Sequence, residues 1–192
     1  KTAVVVGALG VIGRYVVEKL ARLPDWQVVG LSRRTGEARE RVRYIPVDLT
    51  DAGDAAAKLA VLKDATHVFY AAFQPPAAGA GANAAANVAP NVDMLVNSVT
   101  AIDRASSRLE RVVLVTGNKV YGSHLGPFRT PAREDDPRHM PPDFYFDQVD
   151  WLTAHQREQQ QAGKRWSWTE IRPHTPCGFS PGTAMSILSV IA

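Results

Sequence analysis

One cysteine, Cys177, stands in 192 residues, so an internal disulfide is excluded and no cysteine metal cluster is on offer. It is expected to be buried and inert. No apolar run reaches the roughly 18 residues that a membrane span needs. Lys and Arg are dispersed, and a net charge of +3 with no basic run excludes nucleic acid as an expected partner. His124, His139, His155 and His174 show no metal-ligand spacing. The sequence begins at Lys1 almost directly in a strand, so no targeting segment is visible. The default is a cytoplasmic protein in a reducing compartment. What is present is ordinary for a globular domain: 45% hydrophobic and 21% charged residues, enough for one substantial core.

Strand and helix signals alternate. Ala3 to Val6 is a short apolar run ending in glycine, the pattern of a buried parallel strand. Val11 to Leu23 reads as a helix on the spacing of Val16, Val17, Leu20 and Leu23, with Pro24 after it. Further strands are expected over Gln27–Leu31, Arg43–Val47, His67–Ala72, Arg111–Val115 and Thr169–Ile171. Helices are expected over Asp54–Leu62, Val92–Arg108 and Phe144–Gln161. Gln74–Ala89 is a loop passing into a helix near Asn87, and Gly122–Pro142 is polar and proline-rich, hence a loop. The order implies a doubly wound parallel sheet of the Rossmann type in a single domain over residues 1–192. The apolar run 184–192 stops uncapped. It reads as a truncation inside a helix, with the substrate-covering part missing or minimal.

Gly7-Ala8-Leu9-Gly10-Val11-Ile12-Gly13 follows the first strand and opens the first helix. Glycines at this spacing permit a tight turn and a close approach of backbone to a pyrophosphate, beside the positive end of a helix. The spacing is that of short-chain dehydrogenases/reductases. At the end of the second strand an NAD site places a carboxylate for the ribose 2′-hydroxyl. Here Ser32, Arg33 and Arg34 stand instead, a set suited to a 2′-phosphate. NADPH is therefore the expected cofactor. Asp48 and Leu49 are expected beside the adenine, with a helix N-cap the competing role for Asp48. Ala71, at the end of the fourth strand, completes the cofactor contacts expected on this side.

Tyr15 and Lys19 are four apart, the spacing of the usual catalytic pair of these enzymes, but they lie in the first helix, far from a nicotinamide. Tyr15 is assigned to packing and Lys19 to the surface. The reacting centre belongs at the carboxyl end of the fifth strand. There, Thr116 to Gly122 is similar to extended short-chain dehydrogenases such as sugar-nucleotide epimerases, in which a catalytic Ser or Thr precedes Val-Tyr-Gly. That position holds Gly117, and the residue four after Tyr145 is Val149, so the usual hydroxyl and the usual lysine are both missing.

Ordered blocks along the whole chain carry a more specific likeness. They are Thr116-Gly117-Asn118-Lys119-Val120-Tyr121, Gly126-Pro127-Phe128, Glu134-Asp135-Asp136-Pro137-Arg138, Asp143-Phe144-Tyr145-Phe146 with Asp150, and Arg172-Pro173 with Gly178-Phe179-Ser180-Pro181. With the glycine loop they resemble the progesterone 5β-reductase/iridoid synthase-like family of NADPH-dependent enone reductases, within the extended short-chain dehydrogenase/reductase superfamily. Departures are Asp143 and Phe146 where the family has Asn and Tyr, Val149 where it has Glu, and His174-Thr175-Pro176 where it has Gly-Asn-Ile.

The resemblance implies Lys119 and Tyr145 as the catalytic pair. Hydride addition to the β-carbon of an enone creates an enolate, which a tyrosine hydroxyl on the oxygen would stabilise. An ammonium nearby is expected to lower the tyrosine's pKa and to hold the nicotinamide ribose. Thr116, Gly117, Lys119 and Tyr145 thus join the cofactor contacts, as do Pro173 and Pro176 beside the carboxamide and Ser180 near the phosphates. The implied activity is 1,4-reduction of enones or enals. Competing readings are a carbonyl reductase or sugar-nucleotide epimerase/dehydratase, and a non-catalytic NADP-binding redox sensor. The implied partner is a small enone or carbonyl compound, and a homodimer is left open.

Overall fold

The computed structural model describes residues 1–76 and 85–179. Ser180, the run 184–192 and part of the Gln74–Ala89 loop lie outside the described residues. Strands β1 (Thr2–Val6), β2 (Gln27–Ser32), β3 (Val42–Pro46), β4 (His67–Tyr70), β5 (Arg111–Val115) and β6 (Ser167–Ile171) form one sheet in the order β3-β2-β1-β4-β5-β6. Every pairing is parallel. Such strands are covered on both faces, which is why Ala3, Val4, Val5 and Val6 are all 0% exposed. Alternation along β1 sends Val4 and Val6 into one apolar cluster and Ala3 and Val5 into the other.

Helix α1 (Gly13–Ala21) covers one face through Val17 and Leu20. Helices α2 (Ala52–Leu59), α3 (Val88–Ala105) and α4 (Phe144–Gln161) supply the other, through Ala55, Leu59, Leu95, Val99, Ile102 and Leu152. Helix α3 starts earlier than its apolar period predicts. Pro90 sits in its first turn, where a missing N–H costs nothing. Asp51, not Asp48, caps α2, accepting from Gly53 N (2.7 Å) and Asp54 N (3.1 Å).

A buried charge cluster locks α3 to α4. Asp103, 2% exposed, takes Lys164 Nζ at 2.7 Å and lies 3.3 Å from His155 Nε2. Burial pushes its carboxyl up, but the hydrogen bond from Lys164 and the close approach of His155 outweigh that and hold it below the usual carboxylate range. Among the described residues, no helix is long and apolar enough to cross a membrane.

Candidate active site

The chain runs outward from β1 to β2 and β3, then returns to β4 on the other side of β1. The crevice at this reversal is where open parallel sheets bind ligands. Gly7 sits there with φ +81, and a Cβ on it would stand 2.8 Å from Ala71 O and from Ala72 backbone atoms. Only glycine fits, by conformation and by space. Gly7 and Ala8 donate to Leu31 O at 3.0 and 3.1 Å, and Gly10 N donates to Gly7 O at 2.9 Å. A Cβ on Gly13 would meet Gly7 O at 2.2 Å, so the start of α1 lies hard against the turn. Val11 and Ile12 complete this turn, and Arg14 N, Tyr15 N and Val16 N donate back to Gly10 O and Ile12 O at 3.1–3.2 Å, which ties the start of α1 to the loop. The cradle fits a pyrophosphate.

Ser32, Arg33 and Arg34 follow β2 directly. The Ser32 hydroxyl donates to Arg34 O and closes the turn, leaving both arginines exposed. Asp48 accepts from Thr50 N (3.0 Å) and Thr50 Oγ1 (2.6 Å), bonds that hold its carboxyl below the ordinary range. Leu49 points into the core, and its carbonyl accepts from Asn97 Nδ2 at 2.9 Å. Only its backbone is left to meet an adenine.

At the end of β5 the structure brings Gly117, Tyr145 and Pro173 together. The Tyr145 hydroxyl lies 3.4 Å, and Pro173 O 3.7 Å, from the point a Gly117 Cβ would occupy. Asp143 caps α4 and fixes the start of this helix, its Oδ1 accepting from Tyr145 N at 3.0 Å. His139 Nε2 lies 3.2 Å from the other carboxylate oxygen. Phe144 stacks on Phe73 at 5.9 Å, which walls the site on the β4 side. Among the described residues the Tyr145 hydroxyl has no hydrogen-bond partner.

Burial, reinforced by the Asp143 carboxylate, pushes the Tyr145 hydroxyl up to about 12. This corrects the expectation of a lowered value: here the tyrosine is held as a neutral donor. Lys119 lies on a 3-10 turn, Asn118–Tyr121, that Gly122 closes with φ +74 and a 2.8 Å bond to Lys119 O. Its ammonium is exposed. Burial first, then the charges of His139 and Lys119, press His124 below its ordinary value. Val149 packs against the core, so the helix face that carries a lysine in the usual enzymes is closed here.

Several site-building contacts left no signal in the sequence. Thr116 donates its hydroxyl to Glu170 Oε1 (2.7 Å), and Arg172 bonds Glu170 Oε2 (2.7 Å) and Tyr121 Oη (3.1 Å). These bonds weld the carboxyl ends of β5 and β6, and Asn118 N adds one to Pro173 O at 3.1 Å. Asn91 clamps the loop after β4, pairing with Gln74 N (2.8 Å) and Gln74 O (3.0 Å). Beyond β6 and the half-buried Pro176, the backbone crosses onto α1. Phe179 N donates to Tyr15 Oη (3.1 Å), and Arg14 Nη1 donates to Phe179 O (2.9 Å). Tyr15 therefore does more than pack. Cys177 is exposed, contrary to expectation.

A six-stranded parallel sheet with a glycine turn at its switch point is a Rossmann-type domain. Solved structures agree on the fold. That of a UDP-glucose 4-epimerase superposes with a TM-score of 0.68 at 16% identity, over 91% of this chain and 52% of that one. MoeE5, in complex with UDP-glucuronic acid and NAD, gives 0.68 at 23%, over 90% and 54%.

The chain belongs to the PRISE-like Rossmann-fold domain family, which matches it over residues 48–191. It is 33% identical to the (S)-8-oxocitronellyl enol synthase of Catharanthus roseus, over 98% of this chain and 48% of that protein. It is also 33% identical to the 3-oxo-Delta(4,5)-steroid 5-beta-reductase of Arabidopsis thaliana, over 98% and 50%. A short chain dehydrogenase of Penicillium aethiopicum is 33% identical over 93% and 48%. The chain spans about half the length of these curated relatives.

Proposed function

We propose that this chain is the NADP-binding, catalytic half of a reductase that adds hydride to the β-carbon of small enones or enals. The observation that carries the reading is the Tyr145 hydroxyl, held neutral and without a hydrogen-bond partner among the described residues, over Gly117 at the end of β5. Bound NADPH would supply the hydride. The glycine turn and α1 would hold its pyrophosphate, and the turn Ser32-Arg33-Arg34 would bring guanidinium charge to the side of its adenosine 2′-phosphate. A neutral tyrosine can donate to a carbonyl oxygen as charge develops on it, and that bond strengthens as the enolate forms. In this reading Lys119, on the Asn118–Tyr121 turn, holds the ribose and adds positive charge. Reversible oxidation of a sugar hydroxyl would instead need a base to take its proton, and neither Gly117 nor Val149 offers the groups those enzymes use. Family membership alongside relatives named for enol synthesis and steroid 5β-reduction supports the same chemistry.

The test is product analysis with a small enone and NADPH deuterated at C4. The expected product is the saturated ketone with deuterium on the β-carbon. An allylic alcohol would make the protein a carbonyl reductase. No turnover across a panel of enones, with tight NADPH binding, would make it a redox sensor.

A further inference from the structure

The connection from β2 to β3 does not run straight. Gly36 lies on the ring of Tyr44 so closely that a Cβ would stand 2.6 Å from Cζ. The segment then closes in a tight turn, with Arg39 N donating to Val42 O (2.9 Å) and Val42 N to Arg39 O (3.1 Å). The curl pins the Arg39 backbone five residues beyond Arg34 and encloses a cavity of about 280 Å³. Ala8 and Leu9 of the glycine loop form one wall, and Tyr44 another. Arg14, Arg34 and Arg39 all line it, whereas Arg33 does not; the charge of Arg33 acts on Asp48 instead.

Elsewhere in the fold Arg108, Arg129, Arg138 and Arg172 each pair with a carboxylate. Among the described residues, no carboxylate pairs with Arg34 or Arg39, and Arg14 bonds only the Phe179 carbonyl. Glu18 lines the same cavity without bonding any of them. Guanidinium groups left unpaired around one cavity repel each other, and a doubly charged phosphate monoester relieves that repulsion while accepting their paired N–H groups. The cavity adjoins the pyrophosphate cradle, so the anion that reaches it belongs to the adenosine end of the same nucleotide.

We propose that Arg39, together with Arg34, holds the 2′-phosphate of NADP in this cavity, with Arg14 at its rim. Arg39 is then a specificity-determining residue, and of the arginine pair after β2 it is Arg34 that lines the phosphate cavity. The proposal rests on the NADP reading above.

Calorimetric titration with adenosine 2′,5′-bisphosphate and with 5′-AMP isolates the 2′-phosphate without requiring turnover. The unaltered protein is expected to bind the bisphosphate at least about tenfold more tightly, the worth of a charge-assisted hydrogen bond. R39A should lose most of that ratio by weakening bisphosphate binding alone, and R39K should recover part of it. R39A that keeps the full ratio overturns the proposal. So does an equal weakening of both ligands, which would mark Arg39 as merely structural. If the unaltered protein does not distinguish the two ligands, the NADP reading itself fails, and the assignment of Arg39 with it.

Discussion

Replacing Tyr145 with Phe removes one oxygen and leaves the ring in place. In the folded protein that oxygen has no hydrogen-bond partner among the described residues, and its surroundings already disfavour its ionisation. The stability cost should therefore be near zero, and a gain of up to about 1 kcal/mol is consistent with deleting a desolvated, unpaired hydroxyl. Its effect on turnover should be far larger. Losing one preorganised donor to a developing oxyanion costs about 2.7–4 kcal/mol, or roughly 10²–10³ in kcat. NADPH oxidation with an enone, followed at saturating cofactor, reads the loss. Thermal melting and NADPH titration of the same variant read its folding and cofactor binding. Because the hydroxyl is pushed up to about 12, Tyr145 stays neutral at ordinary pH, so the loss should be the same at all pH values from about 6 to 10. Unchanged turnover in Tyr145→Phe, or a melting temperature several degrees lower, would refute the reasoning. The first result would deny the hydroxyl a part in the chemistry, and the second would show it to be structural.

Other consequences are equally open to measurement. Lys119→Ala should lower kcat by an order of magnitude or more, with NADPH binding still detectable by fluorescence quenching. Gly7→Ala forces a side chain into positive φ and onto the backbone of Ala71 and Ala72, and should cost about 3 kcal/mol in urea unfolding while abolishing dinucleotide binding. Asp103→Asn leaves Lys164 without its buried partner. It should cost about 3 kcal/mol, a fall in Tm of roughly 6–12 °C. The folded pKa of Asp103 lies below its unfolded value, so its contribution is complete above the unfolded value and disappears as pH falls through the folded one. The melting curves of Asp103→Asn and the unaltered protein should therefore converge as pH drops below about 4.

The strands and helices were legible because each is written in local periodicity. Arg111–Val115 and Phe144–Gln161 have the same bounds in the sequence and in the fold. The glycine loop was legible too, since only glycine serves where a turn, a helix start and a neighbouring strand converge. Boundaries drifted where a cap or a proline overrode the apolar period, as at Val88 and Asp51.

What tertiary structure alone decided lies across the sheet. The sequence named Tyr145 and Gly117 separately, but packing set the hydroxyl over the glycine and half-buried the ring, reversing the expected direction of its pKa. Val149 faces the core because α4 rolls that side onto the sheet. Tyr15 meets Phe179, 164 residues away, and Asp103 meets Lys164, 61 residues away, contacts that no window of sequence contains. Arg39 reaches the cavity only because Gly36 lets the chain curl over Tyr44. Periodicity records which side of an element is apolar. Which polar groups meet when those apolar sides are buried is fixed only when the elements pack, and in this chain that meeting made the site.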